Sequence, residues 1–112
     1  MDNPRFLNQI MLEGNIVKDT DYFESPVPHA RSTIAAERVY KDEDGEQHKE
    51  VSYFDVDSFG RLSEIMGECG KKGRGIRVVG RLKQNRWKDE DGKEHSSVCV
   101  IAEHVEFKPI VK

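Results

Sequence analysis

Apolar residues in this chain mostly recur at every second position over short stretches, the period of a half-buried strand. Phe6 to Val17 reads as a first strand with a break at Gly14, because glycine inside a strand pattern marks a bulge or bend. Asp19, Asp21, Ser25, Pro26 and Pro28 follow, and two prolines that close oppose regular structure. Arg31 to Tyr40 is the next strand, with an imperfect alternation. One parity carries Thr33, Ala35, Glu37 and Val39; the other carries Ile34, Ala36, Arg38 and Tyr40. Asp42-Glu43-Asp44-Gly45 supplies a turn, with Gly45 free to take positive φ. Val51 to Phe59 is a third strand. It places Phe54, Val56 and Ser58 on one face and Tyr53, Asp55, Asp57 and Phe59 on the other.

Helical spacing occurs once. Leu62, Ile65, Met66 and Cys69 form an i, i+3, i+4, i+7 stripe. Gly67 weakens this helix by roughly 1 kcal/mol relative to alanine. Gly70 and Gly73 end it, with Lys71 and Lys72 at the end that favours cations. Strand patterns resume at Ile76, Val78 and Gly80, with Val79 and Leu82 on the other parity, and continue into a charged hairpin arm through Lys83, Trp87 and Asp91-Gly92. The last strand runs from Ser97 to about Val105. Both of its parities are apolar, so both faces are expected to be covered, and Phe107 to Lys112 end the chain.

Three strands, a helix and two further strands are the order of the oligonucleotide-binding (OB) barrel. The expectation is one all-β domain over 1–112: a five-stranded OB-fold barrel, one short helix between strands 3 and 4, and extended β-hairpins. One internal echo stands out. Tyr40-Lys41-Asp42-Glu43-Asp44-Gly45 is matched by Trp87-Lys88-Asp89-Glu90-Asp91-Gly92, too short for a repeat protein but right for two similar hairpins with an aromatic near each tip.

Composition narrows the function. With 36% hydrophobic and 35% charged residues the core must be thin, which suits a small barrel or an oligomer. The net charge of −3 opposes a generally basic surface but not a local basic stripe. Cys69 and Cys99 fit no metal spacing and read as reduced thiols of a cytoplasmic protein. The first residues do not read as a signal peptide, and no apolar run has membrane-spanning length, so no membrane partner is expected.

Little points to catalysis. His29, His48, His95 and His104 share no ligand spacing; His48 and His95 read as solvated positions after the two acidic turns. Gly73-Arg74-Gly75 is a turn before a strand, without the helix N-terminus a phosphate loop needs. Asp55 and Asp57 share a strand face and read as its polar side. No catalytic residue, metal or cofactor is therefore expected. The aromatics say more. Tyr40, Tyr53, Phe59 and Trp87 stand at strand ends or on the less apolar face, whereas Phe54 shares parity with the core. They are interleaved with Arg38, Lys41, Arg61, Arg86 and Lys88. Aromatics beside cations suit a surface that stacks bases next to a phosphate track, a mode that tolerates any base sequence.

Several of these residues carry a resemblance. From Leu7-Asn8-Gln9-Ile10-Met11-Leu12-Glu13-Gly14-Asn15 to about Phe107, the chain resembles the bacterial single-stranded DNA-binding protein family. The specific matches are Ser58-Phe59-Gly60-Arg61-Leu62, Lys71-Lys72-Gly73, Val79-Gly80-Arg81-Leu82 and Asn85-Arg86-Trp87-Lys88-Asp89. The resemblance implies an OB barrel that stacks bases on four aromatics, falling on Tyr40, Tyr53, Phe59 and Trp87. Arg61, Lys72, Lys83 and Arg86 are the expected phosphate contacts. It further implies a non-enzymatic binder of single-stranded DNA acting in replication, recombination and repair, cytoplasmic and nucleoid-associated, that assembles as a homotetramer or dimer.

The sequence departs from the family pattern in three ways. Two stacking positions that are commonly Trp are Tyr40 and Tyr53 here. Asp55 and Asp57 share the face of Tyr53, where they would repel phosphate. The Gly/Pro/Gln-rich linker and acidic tip that recruit repair enzymes do not follow before Lys112, so tail-mediated partners are not expected. The departures leave an alternative: an OB-fold assembly subunit with little DNA affinity. An RNA-binding barrel of the cold-shock kind and a metal-dependent nuclease fit less well.

Overall fold

The computed structural model describes residues 5–110. The first four of the N-terminal residues that do not read as a signal peptide, and with them and the last two residues the outer limits of the 1–112 domain, lie outside that range. The elements in chain order are β1 (Ile10–Ile16), β2 (Asp21–Phe23), β3 (His29–Lys41), β4 (Gln47–Phe59), α1 (Arg61–Cys69), β5 (Gly75–Lys88) and β6 (Glu94–Phe107). All strands belong to one sheet of order β1-β5-β6-β4-β3-β2. A second edge of β1 pairs with β3 (Asn15 with Ala35, Ile16 with Ile34) and closes β1, β3, β4, β5 and β6 into a barrel. The expected five-stranded barrel with one helix is therefore present.

Gly14 sits where β1 passes from β5 to β3, and a Cβ there would run into the Ala35 carbonyl oxygen. The break read at Gly14 is thus a close backbone approach at a barrel corner. Gly80 plays the same part in β5. It faces Ala102 where the β5–β6 register slips, and a Cβ would meet the Ile101 carbonyl. Ile16, Ile34, Val56, Met66, Ile76, Val78, Val100 and Ala102 fill the interior. Each large side chain among them contributes roughly 1.5–3 kcal/mol by leaving water. Helix α1 plugs the barrel with Met66, while Leu62 and Ile65 are half-buried beside it.

Several boundaries differ from expectation. β1 begins at Ile10, and Phe6 and Leu7 are exposed. The segment expected to be irregular contains β2, paired to β3 from Asp21–Arg31 to Phe23–His29 and ahead of both prolines. Tyr22 of β2 packs on Gly67, whose missing side chain makes the room. Gly67, read as a weak point of the helix, is a contact surface. Phe54, expected in the core, is 41% exposed although its parity mates Val56 and Ser58 are buried. It lies at the barrel mouth, opposite Ile34, where β1 stops covering β3.

That same geometry creates two arms. Beyond Ala35, β3 pairs only with β4; beyond Gly80, β5 pairs only with β6. Each arm is a two-stranded ribbon without a layer behind it, so its side chains stay largely exposed. Cys99 to Ala102 of β6 are buried on both faces as expected, while Val98, further along the arm, is exposed.

Candidate nucleic-acid interface

The two arm tips are built by one local rule. Asp42 and Asp89 each open a turn in which Gly45 and Gly92 take φ of 80° and 82°. The carbonyls of Asp42 and Asp89 accept from those glycine N–H groups at 3.0 Å in both turns. The side chains do the same work twice. Asp42 Oδ1 accepts from the N–H groups of Asp44 and Glu46 at 3.0 and 2.9 Å, and Asp89 Oδ1 from those of Asp91 and Lys93 at 2.9 Å each. This is the turn that the Asp-x-x-Gly pattern demands: a type I turn followed by a left-handed glycine.

The second carboxylate oxygen reaches across the ribbon. Asp42 Oδ2 lies 2.7 Å from His48 Nε2, and Asp89 Oδ2 lies 2.7 Å from His95 Nε2. Both carboxyls are held below the usual carboxylate range, first by the histidine and then by the turn's backbone N–H groups. An ionised carboxylate only accepts, so each Nε2 donates. Each histidine in turn lies on an aromatic ring directly opposite it in the ladder. His48 stacks on Tyr40 with centroids 5.4 Å apart, and His95 stacks on Trp87 at 5.6 Å. His48 and His95, read from sequence as merely solvated, are part-exposed members of an Asp–His–aromatic chain. The hairpin register could have revealed them, since a turn centred on Asp44 sets residue 40 against residue 48.

All four sequence-predicted aromatics reach solvent: Tyr40 is 38% exposed, Tyr53 66%, Phe59 49% and Trp87 51%. The structure separates them into three places. Tyr40 marks the β3–β4 tip and Trp87 the β5–β6 tip. Tyr53 and Phe59 share the outer face of β4. Phe59 lies against His29, which stacks in turn on Phe23. Tyr40 has a second neighbour, the Arg38 guanidinium, 5.0 Å from its ring centre.

The cations divide differently. Arg86 lines a concavity with Trp87, Lys88 and His95 and is steadied by Gln84 Oε1 at 3.0 Å. Lys83 is on the same β5 arm, opposite Cys99. Arg61 is the first residue of α1, two positions after Phe59. Lys72 stands apart. Its backbone N–H donates to Asp19, and it lines a separate concavity with Lys71, Arg74 and Lys108.

Arg31 is the cation that sequence reading missed. Its guanidinium makes two hydrogen bonds to Asp57, at 2.7 and 2.9 Å, and lies 3.9 Å from Asp55. Asp55 also accepts from the Thr33 hydroxyl at 3.0 Å. The acidic pair expected to repel phosphate is therefore partly compensated across the strand: Arg31 pairs with Asp57 and offsets one of the two charges. The carboxylates raise the guanidinium pKa still further. Arg31 directly faces Asp57 in the β3–β4 ladder, a register that strand parity alone does not supply.

Asp42, Glu46 and His48 bring possible ligand atoms within 4.8 Å of one another. The turn already explains this cluster. Asp42 uses both oxygens internally, and the other hairpin keeps the same geometry with Lys93 in place of Glu46. Among the described residues no helix is long and apolar enough to cross a membrane.

Comparison with known proteins agrees with this architecture. The model of the single-strand binding protein family matches residues 7–108. The single-stranded DNA-binding protein of Wolinella succinogenes is 38% identical over 102 residues, which cover 89% of this chain and 63% of that protein. The wild-type single-stranded DNA binding protein from Thermus aquaticus superposes with a TM-score of 0.76 at 32% identity, over 92% of this chain and 50% of that one. The Plasmodium falciparum SSB, solved as a complex with ssDNA, matches with a TM-score of 0.84 over 96% of this chain and 100% of that one; at 19% identity this bears on the fold alone. The chain spans under two thirds of the Wolinella relative's length. With the family model matched from the start of the barrel to its last strand, the chain belongs to the single-strand binding protein family.

Proposed function

We propose that this chain binds single-stranded DNA without sequence preference and without catalysis, covering exposed strands during replication, recombination and repair. The observation that carries the reading is the exposure of four aromatic rings, three of them at 49% or more, on a barrel with a thin core. Large exposed aromatic surface on a folded domain marks a site that receives a partner. Bases stack on Tyr40, Tyr53, Phe59 and Trp87, and Arg61, Lys72, Lys83 and Arg86 take phosphates. The partial compensation of Asp55 and Asp57 by Arg31 supports a strand path over Tyr53. It weakens one of the arguments for a barrel with little DNA affinity, the acidic pair on β4.

Copies of the chain associate, as a tetramer or a dimer, by covering apolar residues such as Phe6, Leu7 and Met11 at the start of the barrel. Sedimentation equilibrium measures that stoichiometry. Titrating the protein with oligo-dT while following Trp87 emission tests the binding function. Strong saturable quenching at low salt, weakening as salt rises, is the expected result. A flat titration at low salt would leave the assembly-subunit reading in its place.

A further inference from the structure

We infer that His29, His48 and His95 are positioning residues of the stacking surface, each a backing ring that holds one base-stacking aromatic in place. The inference rests on the stacking function proposed above. Its basis is a coincidence of register. His48 is the direct ladder partner of Tyr40, His95 of Trp87 and His29 of Phe59. Each pair is stacked, with centroids 5.4, 5.6 and 6.5 Å apart and ring planes inclined by 26°, 21° and 30°.

Each histidine is also anchored at a ring nitrogen. His48 and His95 donate from Nε2 to Asp42 and Asp89 at 2.7 Å, and His29 donates from Nδ1 to the Val27 carbonyl at 2.8 Å. Those oxygens cannot donate, so each proton belongs to the histidine. The imidazole plane is then set by a turn or loop oxygen, and the aromatic ring is set by the imidazole. Phe23 extends the third stack on the far side of His29, 5.0 Å away.

The remaining residues of each kind mark the limits of the pattern. His104 is opposite Val79 and pairs with Glu106 instead. Tyr53 is opposite Ala35 and has no ring behind it; it is also the most exposed of the four aromatics. Backing matters most on the arms, where a two-stranded ribbon offers no core to fix a side chain. A ring held in place before the base arrives loses less rotamer freedom on binding.

The test is a double-mutant cycle on the intact chain, read as the anisotropy of labelled oligo-dT. His95→Ala should weaken binding about threefold to tenfold, the range that aromatic pair energies imply. It should also flatten the near-UV circular dichroism of Trp87 while leaving the unfolding midpoint nearly unchanged. In a Trp87→Ala background, adding His95→Ala should change affinity little, because the histidine acts through the ring. His95→Phe should recover at least half of the loss on a logarithmic scale. His48 with Tyr40 and His29 with Phe59 should repeat the cycle. An equal loss in the Trp87→Ala background would mean that His95 touches DNA itself and would overturn the inference. So would a full effect of Trp87→Ala with none of His95→Ala. No effect of Trp87→Ala at all would remove the stacking function and this inference together.

Discussion

The two arms are the same device carried by different side chains. Both tips use an aspartate, a left-handed glycine and a histidine 2.7 Å from the aspartate, with the aromatic under the histidine. They differ in what the device presents. The β5–β6 arm offers an indole, 51% exposed, with Arg86 and Lys88 beside it. The β3–β4 arm offers a phenol, 38% exposed, with the Arg38 guanidinium already near its ring. The turn also carries Glu46 where the other has Lys93, an acidic against a basic position. Identical backbone chemistry thus presents a stronger stacking ring in a more basic setting on one arm than on the other. The turn is the same on both arms, and the ring and the charges around it are what differ.

Breaking the stronger arm should have the largest effect. Trp87→Ala is expected to cost about 1–3 kcal/mol of oligo-dT affinity, the range typical of single-strand binders of this fold, measured by anisotropy of a labelled strand. Tyr40→Ala should sit at the bottom of that range, and no single lysine change should match Trp87→Ala. Equal losses at the two tips would erase the proposed asymmetry.

Next in size come the glycines. Nothing within 4 Å opposes a Cβ at Gly45 or Gly92, so alanine there costs only the left-handed backbone conformation, roughly 1–2 kcal/mol. Both variants should lower the thermal midpoint by a few degrees, and by the same amount, if the turns are equivalent. Making the arms alike should have a smaller effect. Tyr40→Trp is expected to tighten binding about threefold, within the range of aromatic pair energies. Arg86→Ala should lower the slope of log affinity against log salt by about 0.7, one phosphate contact on a single strand.

The smallest effect is in pH. Asp42 and Asp89 titrate below their unfolded value because the native turn stabilises the charged form. Their contribution is therefore fully present above the unfolded carboxylate pKa, about 3.9, and is lost as pH falls through the lower folded value. The amide resonances of Asp44, Glu46, Asp91 and Lys93 should shift together in that acid window. A midpoint at or above the ordinary carboxylate value at either tip would contradict the hydrogen-bonded turn.

Much of this was legible in the chain itself. The period-two apolar pattern, the one helical stripe at Leu62, Ile65, Met66 and Cys69, and the two Asp-x-x-Gly turns are local properties. They predicted the barrel's five strands, its helix and both hairpins. Length was less legible. β4 begins at Gln47 and not at Val51, because the arms are zipped to their tips by ladder bonds that polar residues satisfy as well as apolar ones. Parity misled at Phe54, which has the core's alternation but lies outside the short stretch of β4, Val56 and Asp57, that pairs with β6.

What the sequence by itself determined is which residues alternate, where the chain turns and which aromatics are available, since these depend on neighbours a few positions away. Tertiary structure decided how far each hairpin stays paired. A tight turn fixes register at its tip, and unbroken pairing carried that register from Tyr40–His48 down to Arg31–Asp57 and His29–Phe59, while Trp87–His95 pair near the other tip. Barrel closure, through β1 reaching both β5 and β3, decided where the core ends and the open arms begin. A one-residue slip in either would exchange every inward and outward side chain, and the strand period, being the same in every register, carries no record of which was chosen.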